Sequence, residues 1–131
     1  GQTDSGPVVA TVNSNVLKWD RKASHPWIMT VTISYRGNGN QGMPDQGTLE
    51  MMSEIEEAIE RELKDEDGYI NIGRETGNNT REIFFACKEF RTPSKVLHDI
   101  EKQYAVTADV SFDIYKDKYW RTFQRYAEQA E

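Results

Sequence analysis

Residues 27–35 alternate in polarity. Trp27, Met29, Val31, Ile33 and Tyr35 fall on one side, and Ile28, Thr30, Thr32 and Ser34 on the other. A period of two predicts a strand with one well-buried face. From Thr48 the period changes. Met52, Ile55, Ile59 and Leu63 recur every three or four residues, with Leu49, Met51 and Ala58 beside them. That spacing predicts an amphipathic helix of about four turns, with Gly68 as its stop. Residues 69–75 and 81–90 read as two strands. The Gly- and Asn-rich stretch between them tolerates positive φ and predicts a hairpin.

The pattern then repeats. Over 91–106, Val96, Leu97, Ile100 and Tyr104 form an apolar face, with Thr92 suited to the N-cap and Pro93 to the first helical position. Residues 108–115 alternate again, with Val110, Phe112 and Ile114 inward. Residues 116–131 predict a closing helix whose Tyr119, Trp120, Phe123 and Tyr126 pack into the core. Strand-like residues around Asn13-Ser14-Asn15 predict an N-terminal strand or hairpin, and residues 1–7 a disordered, small and polar start. The predicted fold is one α+β domain over residues 8–131. It has the ferredoxin-like order β-α-β-β-α-β, an antiparallel sheet with helices on one face, plus an N-terminal extension and a C-terminal helix.

Composition narrows the chemistry. The chain has 131 residues and a net charge of −6. At this length roughly two thirds of the unfolded surface is buried on folding, so neither disulfide nor metal is needed. No apolar run reaches the roughly 20 residues of a membrane helix. The expectation is a soluble, acidic, cytoplasmic protein that binds neither membrane nor nucleic acid, since phosphate neutralisation needs Lys and Arg.

One motif invites a nucleotide. Gly37, Gly39 and Gly42 have the spacing G-x-G-x-x-G. A dinucleotide loop opens directly into a helix after a strand buried on both faces. Here Met43 to Gly47 separate the glycines from the helical period, Pro44 removes a donor, and Asp45 adds negative charge where phosphate would sit. No Lys-Ser or Lys-Thr pair follows, so a P-loop is excluded as well. The stretch reads as a strand-to-helix connection.

Other constellations fall short of a reaction centre. Cys87 lies in a hydrophobic strand and reads as a core thiol. His25 and His98 lack the neighbours of a zinc site, and no G-x-S-x-G turn is present. The acids of "DEDG" do not follow an EF-hand. "REIFFACKEF" has Glu82 where an RNA-recognition strand has glycine, and Lys88 where it has its last aromatic. Glu50, Glu54, Glu56, Glu57, Glu60, Glu62, Asp65, Glu66 and Asp67 crowd the first helix and its exit. Such a run is ordinarily a solvated face, and a docking face for a basic partner is the alternative. No catalytic residue, metal or cofactor is expected. The leading expectation is a non-catalytic protein-interaction or regulatory module. The alternative is a small enzyme or ligand-binding protein with a polar site on the less buried sheet face. Its candidate residues are Asn71, Arg74, Arg81, Lys88 and Asp113, with Arg74 foremost because Gly73 before it permits close backbone approach.

The stretches "HPWIMTVTISYRG", "GMPDQGTLEMMSEIEEAIERELKDEDGYINIGRETGNNTREIFFACKEFRTPSKVLHDI" and "FDIYKDKYW" together resemble a bacterial family, the domain of unknown function, family 695. The resemblance spans residues 8–126 and rests on a strand, an acidic helix, a "GYxxxGRxT" hairpin start and an aromatic strand. It implies no catalytic residue. That family is also similar in architecture to the regulator of ribonuclease E activity B, which acts by binding a partner; this is a likeness of fold.

Overall fold

The computed structural model describes residues 2–3, 6–12, 24–35, 44–77, 79–106 and 108–117. Their elements follow the expected alternation. Short strands β1 (Gln2–Thr3) and β2 (Gly6–Val12) precede β3 (Trp27–Ser34), helix α1 (Gln46–Glu62) and a 3-10 turn (Asp65–Asp67). Then come β4 (Tyr69–Gly77), β5 (Thr80–Cys87), helix α2 (Arg91–Gln103) and β6 (Asp109–Lys116). The strands form one sheet in the order β1-β2-β4-β5-β3-β6, every neighbour antiparallel. Helix α1 joins β3 to β4 across the intervening β5, and α2 joins β5 to β6 across β3. Among the described residues the fold is therefore α+β, with two helices and an antiparallel sheet. No helix among the described residues is long and apolar enough to cross a membrane.

The core lies between the helices and one sheet face. Met29, Val31 and Ile33 of β3 pair with Phe85, Ile83 and Arg81 of β5. Met52, Ile55, Ile59 and Leu63 of α1 close over this face with Leu97, Ile100 and Tyr104 of α2. Each such side chain fully buried contributes about 1.5–3 kcal/mol. Val110 joins them, with Phe112 and Ile114 packed alongside.

The second face departs from the expectation of one buried side. Ile28, Ile70, Ile72, Phe84 and Ala86 are also buried, and Ile28, Ala86 and Ile70 stand in one row across β3, β5 and β4. Strict alternation marks only the stronger face, so adjacent buried pairs such as Phe84-Phe85 carry the information it misses.

Local chemistry sets the element ends. The α1 helix begins at Gln46, before the expected Thr48, because the Asp45 carboxylate accepts the Thr48 amide at 2.7 Å. That bond holds the Asp45 carboxyl below its usual range. Asp45 thus fills a first-turn donor that an anion would otherwise use. At the far end Leu63 caps α1, its amide bonding to the Ile59 carbonyl. Gly68, two residues past the start of the following 3-10 turn's last pair of acids, has φ +97°, and a Cβ there would lie 2.6 Å from Lys88 Cδ. The β4–β5 hairpin pairs Gly77 with Thr80, with Asn79 at φ 66°; asparagine tolerates this left-handed region.

The start of α2 differs from expectation. The helix opens at Arg91, and its N-cap Phe90 supplies no side-chain bond. Glu89 does the capping: its Oε2 accepts the Arg91 amide at 2.7 Å and the Thr92 amide at 3.1 Å. Its Oε1 accepts the Tyr69 hydroxyl at 2.6 Å, tying the helix start to β4. The sequence rule favours Thr92 because short polar side chains usually cap, but a carboxylate one residue before the cap reaches the same donors. On its other side β2 pairs with residues 73–77 of β4. Gln2–Thr3 pairs with Gly6–Pro7 within the stretch read as disordered. The region around Asn13–Asn15, the glycine loop 36–43 and the C-terminal helix lie outside the described residues.

Burial raises the Glu89 carboxyl, but bonds from Tyr69, Thr92 and Arg91 outweigh it and leave its pKa lowered. Its stabilising effect is therefore present above the unfolded-state pKa and lost as pH falls through the folded value. Glu89→Ala is expected to cost about 1 kcal/mol at neutral pH. In urea titrations the gap from the unaltered protein should shrink as pH is lowered below the usual carboxylate range. A gap independent of pH would refute the cap.

Candidate functional site

Three of the five residues singled out in the sequence come together, and they do so on the helix-covered face. A β-bulge in β4 is the reason. Asn71 is paired with Phe85 and Gly73 with Phe84, leaving Ile72 as the extra residue. In a regular strand Asn71 and Arg74 would point to opposite faces. The extra residue puts Arg74, opposite Ile83, and Thr76, opposite Arg81, on the face of Asn71. Asn71 fixes the bulge itself, its Oδ1 accepting the Gly73 amide at 3.1 Å.

Above this patch stands Glu56 of α1. It is 6% exposed. Its Oε2 accepts from Asn71 Nδ2 at 2.8 Å, and its Oε1 pairs with Arg74 Nη1 at 3.2 Å. Asn71 Nδ2 also reaches Glu60 Oε1 at 3.1 Å. Buried carboxylates need such partners. Glu56 was counted in the sequence only as one of a run of acids. The signal that locates it is its place in the stripe Met52, Glu56, Ile59, Leu63, spaced four, three and four.

Arg81 lies deeper and is also 6% exposed. Its Nε donates to Thr76 Oγ1 at 2.9 Å. Among the described residues no carboxylate forms an ion pair with it. Burial pulls its pKa down, and Arg74 adds to this, while Glu56 and Tyr35 oppose. Burial in turn pushes the Tyr35 hydroxyl up, and Arg81 moderates it.

The other two candidates are elsewhere. Lys88 follows β5 and is exposed, its ammonium 5.7 Å from the Tyr69 ring centre. Asp113 is exposed on the opposite sheet face, across from Thr30 in β6. Asn71, Arg74 and Arg81 thus share the helix-covered face rather than the less buried one, the bulge turning Arg74 to that side. On the opposite face Glu82 and Glu75 are cross-strand partners, and burial followed by the Glu75 charge raises the Glu82 carboxyl.

The thiol is not poised for chemistry. Cys87 is buried, and burial, aided by Glu89, pushes its pKa up to about 12. Nucleophilic cysteines have lowered values. His98 is exposed on α2, 4.0 Å from Glu101 and edge-on to Phe112. Among the described residues no group of three or more His, Cys, Asp or Glu gathers as a metal site would need.

A family model described as a family of unknown function, DUF695, matches residues 1–126. The chain belongs to DUF695. The match takes in the whole Glu56–Asn71–Arg74–Arg81 cluster. No curated protein and no solved structure matches the chain.

In this DUF695 domain Asn71 both shapes the bulge and bonds a buried carboxylate, whereas the Arg74 side chain is 44% exposed. Asn71→Ala is expected to destabilise by about 1–3 kcal/mol. Arg74→Ala should cost less than Asn71→Ala, because the Arg74 side chain is 44% exposed and Glu56 keeps its bond from Asn71. Chemical denaturation of both variants checks the order, and equal costs would contradict it. A thiol reagent at pH 8 is expected to label Cys87 only after denaturant unfolds the chain. Stoichiometric labelling of the folded protein would show the thiol to be accessible and ionisable.

Proposed function

We propose that the protein is a non-catalytic protein-interaction module that meets a basic partner through the outer ridge of α1. The observation that carries this reading is the exposed, uncompensated line Glu50, Glu54 and Glu57. These residues stand at spacings of four and three on the side of α1 away from the core. Among the described residues no cation pairs with them, and Glu50 has only a 3.3 Å bond from Gln46. By contrast, the buried Glu56 is engaged by Asn71 and Arg74, and the exposed Glu60 beside it by Asn71. Like charges at these spacings weaken a helix by roughly 0.2–0.5 kcal/mol per pair. A stable scaffold carries the ridge: the order β4-β5-β3-β6 of the four central strands supports reading the domain as ferredoxin-like.

The test is a triple variant, Glu50→Gln, Glu54→Gln and Glu57→Gln. Its helix is expected to be more stable by about 0.5 kcal/mol as repulsion is relieved. A basic protein co-purifying with the native chain should be lost from the variant and also released by salt. Gain of stability with unchanged co-purification would sink the proposal and leave the ridge a solvated face. Steady turnover of a substrate by the purified chain, lost on a point substitution, would overturn the non-catalytic reading.

A further inference from the structure

We propose that Arg81, with Arg74 beside it, forms an oxyanion site that receives a single carboxylate or phosphate group. The site lies between the sheet and α1 and is separate from the outer ridge of that helix.

Among the described residues Arg81 is a charge without a counter-ion. A guanidinium carries five N–H donors in a fixed fork. Arg81 uses its Nε–H on Thr76. Among the described residues its terminal nitrogens bond to nothing, and no carboxylate pairs with it. Yet none of the fully buried side-chain nitrogens or oxygens there lacks a partner. Among the described residues those terminal donors are thus not sealed away without a partner, and 6% of the residue stays accessible. A buried cation without a counter-ion is costly, by several kcal/mol in general. The one nearby carboxylate, Glu56, is already bonded by Asn71 and Arg74.

The second cation is placed by register. Thr76 stands directly across from Arg81, and Arg74 two residues along β4 on the same face. Diagonal neighbours of this kind lie within reach of long side chains. Arg74 is 44% exposed, so it can meet an incoming anion at the surface while the Arg81 fork bonds it from below. Two parallel N–H donors match the two oxygens of a carboxylate or of a phosphate. A lysine at position 81 would supply the charge without the fork.

The experiment follows the side-chain Nε–Hε resonances of Arg81 and Arg74 by NMR in the full chain. Inorganic phosphate and acetate are titrated separately, with chloride adjusted to hold ionic strength constant. A saturable movement of the Arg81 resonance is expected, half-complete at about 1 mM, and shifted about tenfold weaker in Arg74→Gln. Movement with phosphate alone assigns a phosphate group, and movement with both ions assigns a carboxylate-sized oxyanion. If neither ion moves Arg81 beyond the chloride control, the proposal is overturned. An unchanged half-saturation in Arg74→Gln overturns the two-arginine site. Because Arg74 is largely exposed, that variant folds, and the resonance of Arg81 is read in the unaltered chain first.

Discussion

The seating of the Met52, Ile55, Ile59 and Leu63 stripe on the β3–β5 pair governs the rest of the molecule. Met29, Val31, Ile83 and Phe85 offer that stripe a flat apolar floor. Once α1 lies along it, the position after Ile55 necessarily faces the flank of β4. A glutamate there leaves water, and the strand beneath must supply donors. Asn71 and Arg74 do so. The polar cluster is thus a by-product of apolar packing, held at a defined height above the sheet because the helix cannot rise without opening the core.

The same geometry explains why, among the described residues, one arginine meets a carboxylate and the other does not. Arg81 continues the row of β5 beyond Ile83, opposite Ile33. The helix ridge that could reach it carries no second buried acid, since Glu50, Glu54, Glu57, Glu60 and Glu62 are exposed. Charge on α1 is therefore plentiful but turned outward, and the cation below depends on a hydroxyl. The net charge of −6 says nothing about this local deficit, because fields at a few ångströms depend on which groups face one another.

Much of the fold was legible in the sequence. The alternation at 27–35 and 108–115 and the helical periods of α1 and α2 place the strands and helices, since burial on a single face writes a period into the chain. Gly68, expected as the stop of α1, instead turns the chain after the 3-10 turn with a φ of +97°, because α1 already ends at Glu62 with Leu63 as its cap. The second sheet face was not legible, because Ile28 and Phe84 stand beside residues already assigned to the core. The Glu89 cap was hidden for a different reason: it depends on a side chain reaching forward. Of the polar candidates, Asn71, Arg74 and Arg81 were chosen together without a geometric reason for their meeting. Asp113 stands on the less buried face, across from Thr30, and Lys88 lies past the end of β5, so neither joins the other three.

The reason for that meeting is one extra residue, Ile72, which acts on β4 as an insertion acts on a reading frame. Before it the odd-numbered residues face the helices, and after it the even-numbered ones do. Pairing Ile72 within the ladder, with every later residue of β4 shifted by one along β5, would restore one parity along the strand. Glu75 would then turn toward Glu56, setting two carboxylates against each other in a poorly hydrated space. Arg74 would turn to the opposite face, toward Glu82. The sheet would keep its hydrogen bonds and its strand order, yet the sign of the charge beneath α1 would be reversed. A family member lacking the bulge would share the fold and present different chemistry under the same helix.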